Sequence, residues 1–157
     1  MNIHCQMAAL VLAGCLLAAP AGAADTGPAV SQPNVSERLD LAREAIQKQD
    51  WKRSLAELNL AAREEPRNAD VHNLLGYTYR KQAAPNLPKA FEHYRRALSL
   101  NPKHKGAHEY IGEAYLMDKK PQEAEKHLAE LEKICGNKTC EEYADLAKAI
   151  AAFKTRN

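Results

Sequence analysis

The sequence predicts an all-α chain, a right-handed α-α superhelix of three helix pairs closed by a C-terminal capping helix. One string occurs twice, as His72-x-x-Leu75-Gly76-x-x-Tyr79 and as His108-x-x-Ile111-Gly112-x-x-Tyr115. Its two glycines stand 36 residues apart, a period that marks stacked helix pairs rather than one globular core. Each string is followed by a small residue and then a large one a helical turn later. These are Ala90-x-x-x-Tyr94, with Pro102 beyond it, and Ala124-x-x-x-Leu128.

From the start of the chain, residues 1–24 contain no Lys, Arg, Asp or Glu, and Met7 to Ala19 is an unbroken apolar run. That run is too short to span a hydrocarbon core, which needs about 20 residues. With Pro20 and the small residues Ala21-Gly22-Ala23 after it, it reads as a secretory signal peptide cleaved just before Asp25. Leu12-Ala13-Gly14-Cys15 also resembles a bacterial lipobox, so lipidation at Cys15 and a membrane anchor facing the periplasm is the alternative. Both readings export the mature chain. Residues 25–34, rich in Pro, Gly and Ser, read as a flexible lead-in.

The helical domain is expected over 35–154, with repeats 35–68, 69–104 and 105–138 and the capping helix 139–154. The first repeat is degenerate: Ala42 stands 34 residues before Gly76, and Ser54, Leu58, Ala61 and Pro66 follow it in order. The middle repeat carries two extra residues, placed in the turn 82–88, where Pro85 and Pro88 forbid a helix interior. Gly76, Gly112, Ala42, Ala90 and Ala124 are the positions where helices are expected to approach closely, and Pro66 and Pro102 stop the second helices. Asp50 and Asn68 are expected N-caps. Thr139 with Glu142 matches a capping box at the start of the last helix, whose Leu146, Ile150 and Phe153 recur at helical spacing.

Composition excludes several function classes. The net charge is +2, with acidic and basic residues interleaved, so no basic stripe points to nucleic acid. No Ser/His/Asp order, glycine-rich phosphate loop or placed carboxylate pair is present, and neither enzyme activity nor a cofactor or small-molecule substrate is expected. His72 and His108 share one repeat position and His93 and His127 another, which favours packing over a metal site. Cys135 and Cys140 flank Gly136, which supplies a left-handed helix end. In an oxidising compartment they are expected to form a disulfide that pins the cap. The rival reading is a redox pair with an ionised Cys140, or a metal site, although the spacing is not that of thioredoxin motifs.

The repeated strings resemble the tetratricopeptide repeat (TPR), whose large residue, Leu-Gly, Tyr, Ala and Pro they follow in order. The segments 73–81, 106–116 and 140–143 are similar to small exported TPR proteins of Gram-negative bacteria that end in a cysteine pair. The resemblance implies a protein or peptide partner lying in a groove lined by the first helix of each pair. Its groove positions carry over to Leu39, Arg43 and Gln47, then Asp70, Asn73, Tyr77, Arg80 and Lys81, then Glu109, Glu113 and Leu116. Arg43, Arg80 and Lys81 precede Glu109 and Glu113, a split that would orient a dipolar segment. The carboxylate clamp of cytosolic chaperone-binding TPR domains is missing, since Leu39, Arg43, Leu74, Gly106 and Tyr110 stand at its places. The expectation is therefore a non-enzymatic periplasmic adaptor or assembly factor. Homo-oligomerisation is an alternative use of the groove, and a thiol-dependent maturation factor the alternative function.

Overall fold

A computed structural model describes residues 32–156. The expected signal peptide, lipobox and most of the lead-in, with Cys5 and Cys15, lie outside the described residues. Among the described residues seven helices follow in order: α1 Val35–Gln47, α2 Trp51–Glu64, α3 Ala69–Lys81, α4 Leu87–Leu100, α5 Lys105–Met117, α6 Pro121–Cys135 and α7 Glu141–Arg156. Each pair packs on itself and on the next, and α7 packs on both α5 and α6.

Helix starts follow from side chains that accept orphan backbone N–H groups. Asn34, the last residue of the expected lead-in, forms a full capping box with Glu37. Asp50, Asn68 and Asn86 cap α2, α3 and α4. His104 caps α5, its Nδ1 accepting from the Ala107 N–H at 3.1 Å, while its Nε2 reaches Asp70 at 3.0 Å. The box expected at Thr139 is not formed: its hydroxyl donates to Asn137 Oδ1 at 2.9 Å, and α7 begins at Glu141 with the Cys140 carbonyl accepting from Ala144. Asn137 lies closer to Thr139 in sequence than the helix does and takes its hydroxyl first.

The core is a row of three clusters rather than one. Leu39, Ala42, Leu58, Val71 and Leu75 belong to the first, Ala90, Phe91, Tyr94 and Ile111 to the second, and Leu116, Ala124, Leu131, Leu146 and Ile150 to the third. Tyr79 packs against the first two and Tyr115 against the last two, so the recurring tyrosine couples neighbouring units. A Cβ on Gly76 would lie 2.6 Å from the Tyr94 ring, and one on Gly112 would lie 2.7 Å from the Leu146 methyls. Both glycines thus sit in helix crossings with no room for a methyl group. The partner differs from expectation at Gly112, where the closing helix α7 rather than the paired helix α6 makes the approach.

Two polar devices tie the helices. Ser54 and Thr78, both fully buried, bond at 2.9 Å between α2 and α3, and the Thr78 hydroxyl donates to the Leu74 carbonyl at 2.8 Å. In the second and third pairs a histidine chain repeats. His72 Nε2 meets the Pro66 carbonyl at 3.1 Å and its Nδ1 meets His93 Nδ1 at 3.2 Å. His108 meets the Pro102 carbonyl at 3.0 Å and His127 at 2.9 Å. A carbonyl only accepts, so the first histidine donates from Nε2, and in the neutral pair its Nδ1 accepts from the second. Burial, then electrostatic coupling to His108, pushes the His127 imidazole down to about 4.

Candidate partner-binding groove

Positions i, i+4 and i+7 of a helix share one face, and on α3 these are Asn73, Tyr77 and Arg80, on α5 Glu109, Glu113 and Leu116. The two faces lie side by side because α3 contacts α5 directly. A depression of about 260 Å³ is lined by Arg43 and Ile46 of α1, Leu74 and Tyr77 of α3 and Tyr110 of α5. A second, of about 280 Å³, is lined by Arg80, Glu113, Leu116, Met117, Ala149, Phe153 and Arg156 of α3, α5 and α7. Together they form a trough across the first helices and the closing helix.

Arg80 separates the two depressions. It is 6% exposed, donates from Nε to the Tyr94 hydroxyl at 3.2 Å, and pairs with Glu113. Its guanidinium carbon lies 5.4 Å from the Tyr77 ring centroid and 5.6 Å from that of Tyr110. A buried guanidinium with an ion-pair partner, a hydroxyl and two ring faces is a strut, not a free contact for a ligand.

This changes the expected charge pattern. Arg80 and Glu113 were placed at opposite halves of the groove, yet they neutralise each other across α3 and α5. Arg43 is exposed and pairs with Asp40 one turn before it at 2.9 Å. Lys81 is exposed at the rim, 5.9 Å from the Tyr77 ring. Tyr77 is half-buried and tilts against Tyr110 at 4.9 Å. Leu39 is only 7% exposed within the first core cluster, and Asp70 is engaged by His104.

Asn73 and Glu109 stand at the same repeat position on successive first helices. Asn73 is 6% exposed and its Oδ1 has no hydrogen-bond partner. Glu109 is 9% exposed, and burial, then the charges of Glu113, Asp145 and Glu142, pushes its carboxyl up to about 8. Sequence reasoning missed Ile46, Tyr110, Met117 and Phe153 as lining residues. Their signal was an apolar or aromatic residue falling outside the repeat's packing positions. Met117 is the large hydrophobic side chain left exposed among the described residues, at 44%.

Cys135 and Cys140 are bonded, with Cα atoms 6.3 Å apart, joining the end of α6 to the residue before α7. Glu142 brings a carboxylate oxygen within 4.8 Å of both sulfurs. Bonded to each other, these sulfurs are not the thiolates that ligate a metal.

Comparison with known proteins places the chain. The family model described as tetratricopeptide repeat matches residues 39–103 and 83–138. A search of curated proteins by sequence finds no significant match. Among solved structures, the type III secretion translocator chaperone SycD of Yersinia enterocolitica, in an alternative dimer, aligns at 15% identity with a TM-score of 0.69, covering 82% of this chain and 97% of that one. The TPR2B domain of yeast Sti1, in its complex with pHsp70, aligns at 14% identity with a TM-score of 0.69, covering 78% and 98%. Two matches of the model across more than half the sequence, on a stack of helix pairs with glycines at the crossings, show that the chain belongs to the tetratricopeptide repeat family.

Proposed function

We propose that the protein is a non-enzymatic periplasmic adaptor or assembly factor that receives a segment of a partner protein in the trough. The observation that carries this reading is that α1, α3 and α5 line one depression and α3, α5 and α7 the next, with Arg80 between them. Exposed Met117 and half-buried Tyr77 and Tyr110 offer apolar area there, and each tyrosine keeps a polar tip. The leader pattern of residues 1–24 and the Cys135–Cys140 bridge support export to an oxidising compartment. SycD, a chaperone, and the Sti1 domain in complex with pHsp70 support a protein as the partner class. The pHsp70 ligand itself is not carried over, because Leu74, Gly106 and Tyr110 stand where a carboxylate clamp needs amides and cations.

A photo-crosslinking residue at Tyr77, compared in cells with one at exposed Arg96 on α4, tests the reading. Tyr77 is expected to capture a discrete protein in the periplasmic fraction and Arg96 to capture none. Capture from Arg96 alone would place the interface on the second helices and end the groove proposal.

A further inference from the structure

Two buried acceptors on the groove-side faces of α3 and α5 lack donors among the described residues. Asn73 Oδ1 has no hydrogen-bond partner, and its amide nitrogen lies 3.2 Å from where a Cβ on Gly106 would sit, one turn before Glu109. The side chain of Glu109, a residue 9% exposed, makes no hydrogen bond or ion pair among the described residues, although Arg80 is close enough to be felt. Arg80 is already committed to Glu113 and Tyr94. The Glu109 oxygens are not sealed off, since the buried polar atoms without partners among the described residues are Asn73 Oδ1 and Gln82 Nε2.

The charges facing Glu109 are one-sided. Glu113 lies on its own helix, Glu142 and Asp145 on α7, Tyr110 beside it, and Arg80 on α3 is the single cation among them. Neither Glu142 nor Asp145 has an ion-pair partner among the described residues. No three of these carboxylates bring oxygens within 4.8 Å of one another, so the arrangement is too open to chelate a metal ion. It suits a larger cation with several N–H donors, which an ammonium or guanidinium supplies.

The geometry points to a cationic group on the partner segment, a lysine, an arginine or an α-amino terminus, seated between Glu109 and the first turns of α7 with Asn73 Oδ1 as a second acceptor. This deepens the groove reading and rests on it. Burial and like charge disfavour ionised Glu109 in the empty trough, and the incoming cation reverses that balance. Binding therefore expels the proton held on Glu109.

The test pans the full chain, with its disulfide formed, against displayed random dodecapeptides and measures the best synthetic binder by fluorescence anisotropy. Binders are expected to carry Lys, Arg or the free amino terminus at one register. Replacing that lysine by norleucine, or Glu109→Gln in the protein, is expected to weaken binding at least about tenfold, with little further loss when combined. Calorimetry at pH 8 in two buffers of different ionisation heat is expected to show proton release with the wild type and none with Glu109→Gln. Binders that lose affinity with Tyr77→Ala but carry no fixed cation, and ignore Glu109→Gln, would overturn the cation site and leave the groove standing. Failure to select any binder, or binders indifferent to Tyr77→Ala, would overturn both. The norleucine peptide decides the matter on wild-type protein should Glu109→Gln fail to fold.

Discussion

Gly76 and Gly112 occupy the same place in the repeat but receive different guests. At Gly76 the fully buried Tyr94 ring of the paired helix α4 fills the crossing, and Arg80 holds its hydroxyl. At Gly112 the paired helix α6 offers Leu128 at the matching position, a shorter side chain that stays half-buried. Leu146 of α7 enters instead. Inside the array a glycine is closed by its own hairpin, whereas at the end it is closed by the terminating helix. The last repeat is therefore complete only when α7 is docked.

The sharpest way to break this contrast is Leu146→Ala. Removing a side chain with no exposure should cost about 2–5 kcal/mol in a urea titration. In that background Gly112→Ala should stop destabilising and gain about 1 kcal/mol of helix propensity, because the methyls it would strike are gone; full additivity would show that Leu146 does not close the crossing. Next in size, Gly76→Ala should destabilise by about 1–3 kcal/mol, net of a helix-propensity gain of about 1 kcal/mol. Gly112→Ala should cost less, since a leucine end yields more readily than an enclosed ring. The opposite order would reassign the tight crossing.

Reducing Cys135–Cys140, or Cys140→Ser, should cost about 2 kcal/mol for so short a loop. Hydrogen exchange should quicken in α7 and leave α3 and α4 protected; uniform quickening would make the bridge a global rather than a local device.

A pH series separates the groove from the hairpin interiors. His127 is pushed down to about 4 from an ordinary 6.5. The unfolded chain then binds more protons between these values, so this stability is present above pH 6.5 and lost as pH falls toward 4. Glu109 is pushed up to about 8 from 4.5, and the native state binds more protons there. Its contribution is full below pH 4.5 and lost as pH rises through 8. Urea midpoints from pH 4 to 9 should decline at both ends, and Glu109→Gln should remove the alkaline decline alone.

The fold was legible because small residues at a fixed interval leave few ways to nest helices. The helix starts at Asp50 and Asn68 were legible from local chemistry, as was the left-handed Gly136, at φ 69°. The register put Asn73, Tyr77 and Arg80 on one face, but not what each would meet there. Arg80 pairs with Glu113, 33 positions later, and Leu39 turns into the core. Both outcomes depend on helix rotation, which a repeat pattern fixes only to within neighbouring positions. Glu109 read as a groove acid paired in sign with Glu113, but not as a buried one, because Glu142 and Asp145 that face it lie on α7, outside the repeats.

A stack made by repetition has no built-in length, since every unit offers the next the same seat. Here α7 takes the seat on α5 that a further pair would use, and the covalent link to α6 keeps it there. Oxidation of two sulfur atoms thereby acts as a full stop, fixing how far the array extends and how long a segment it can span.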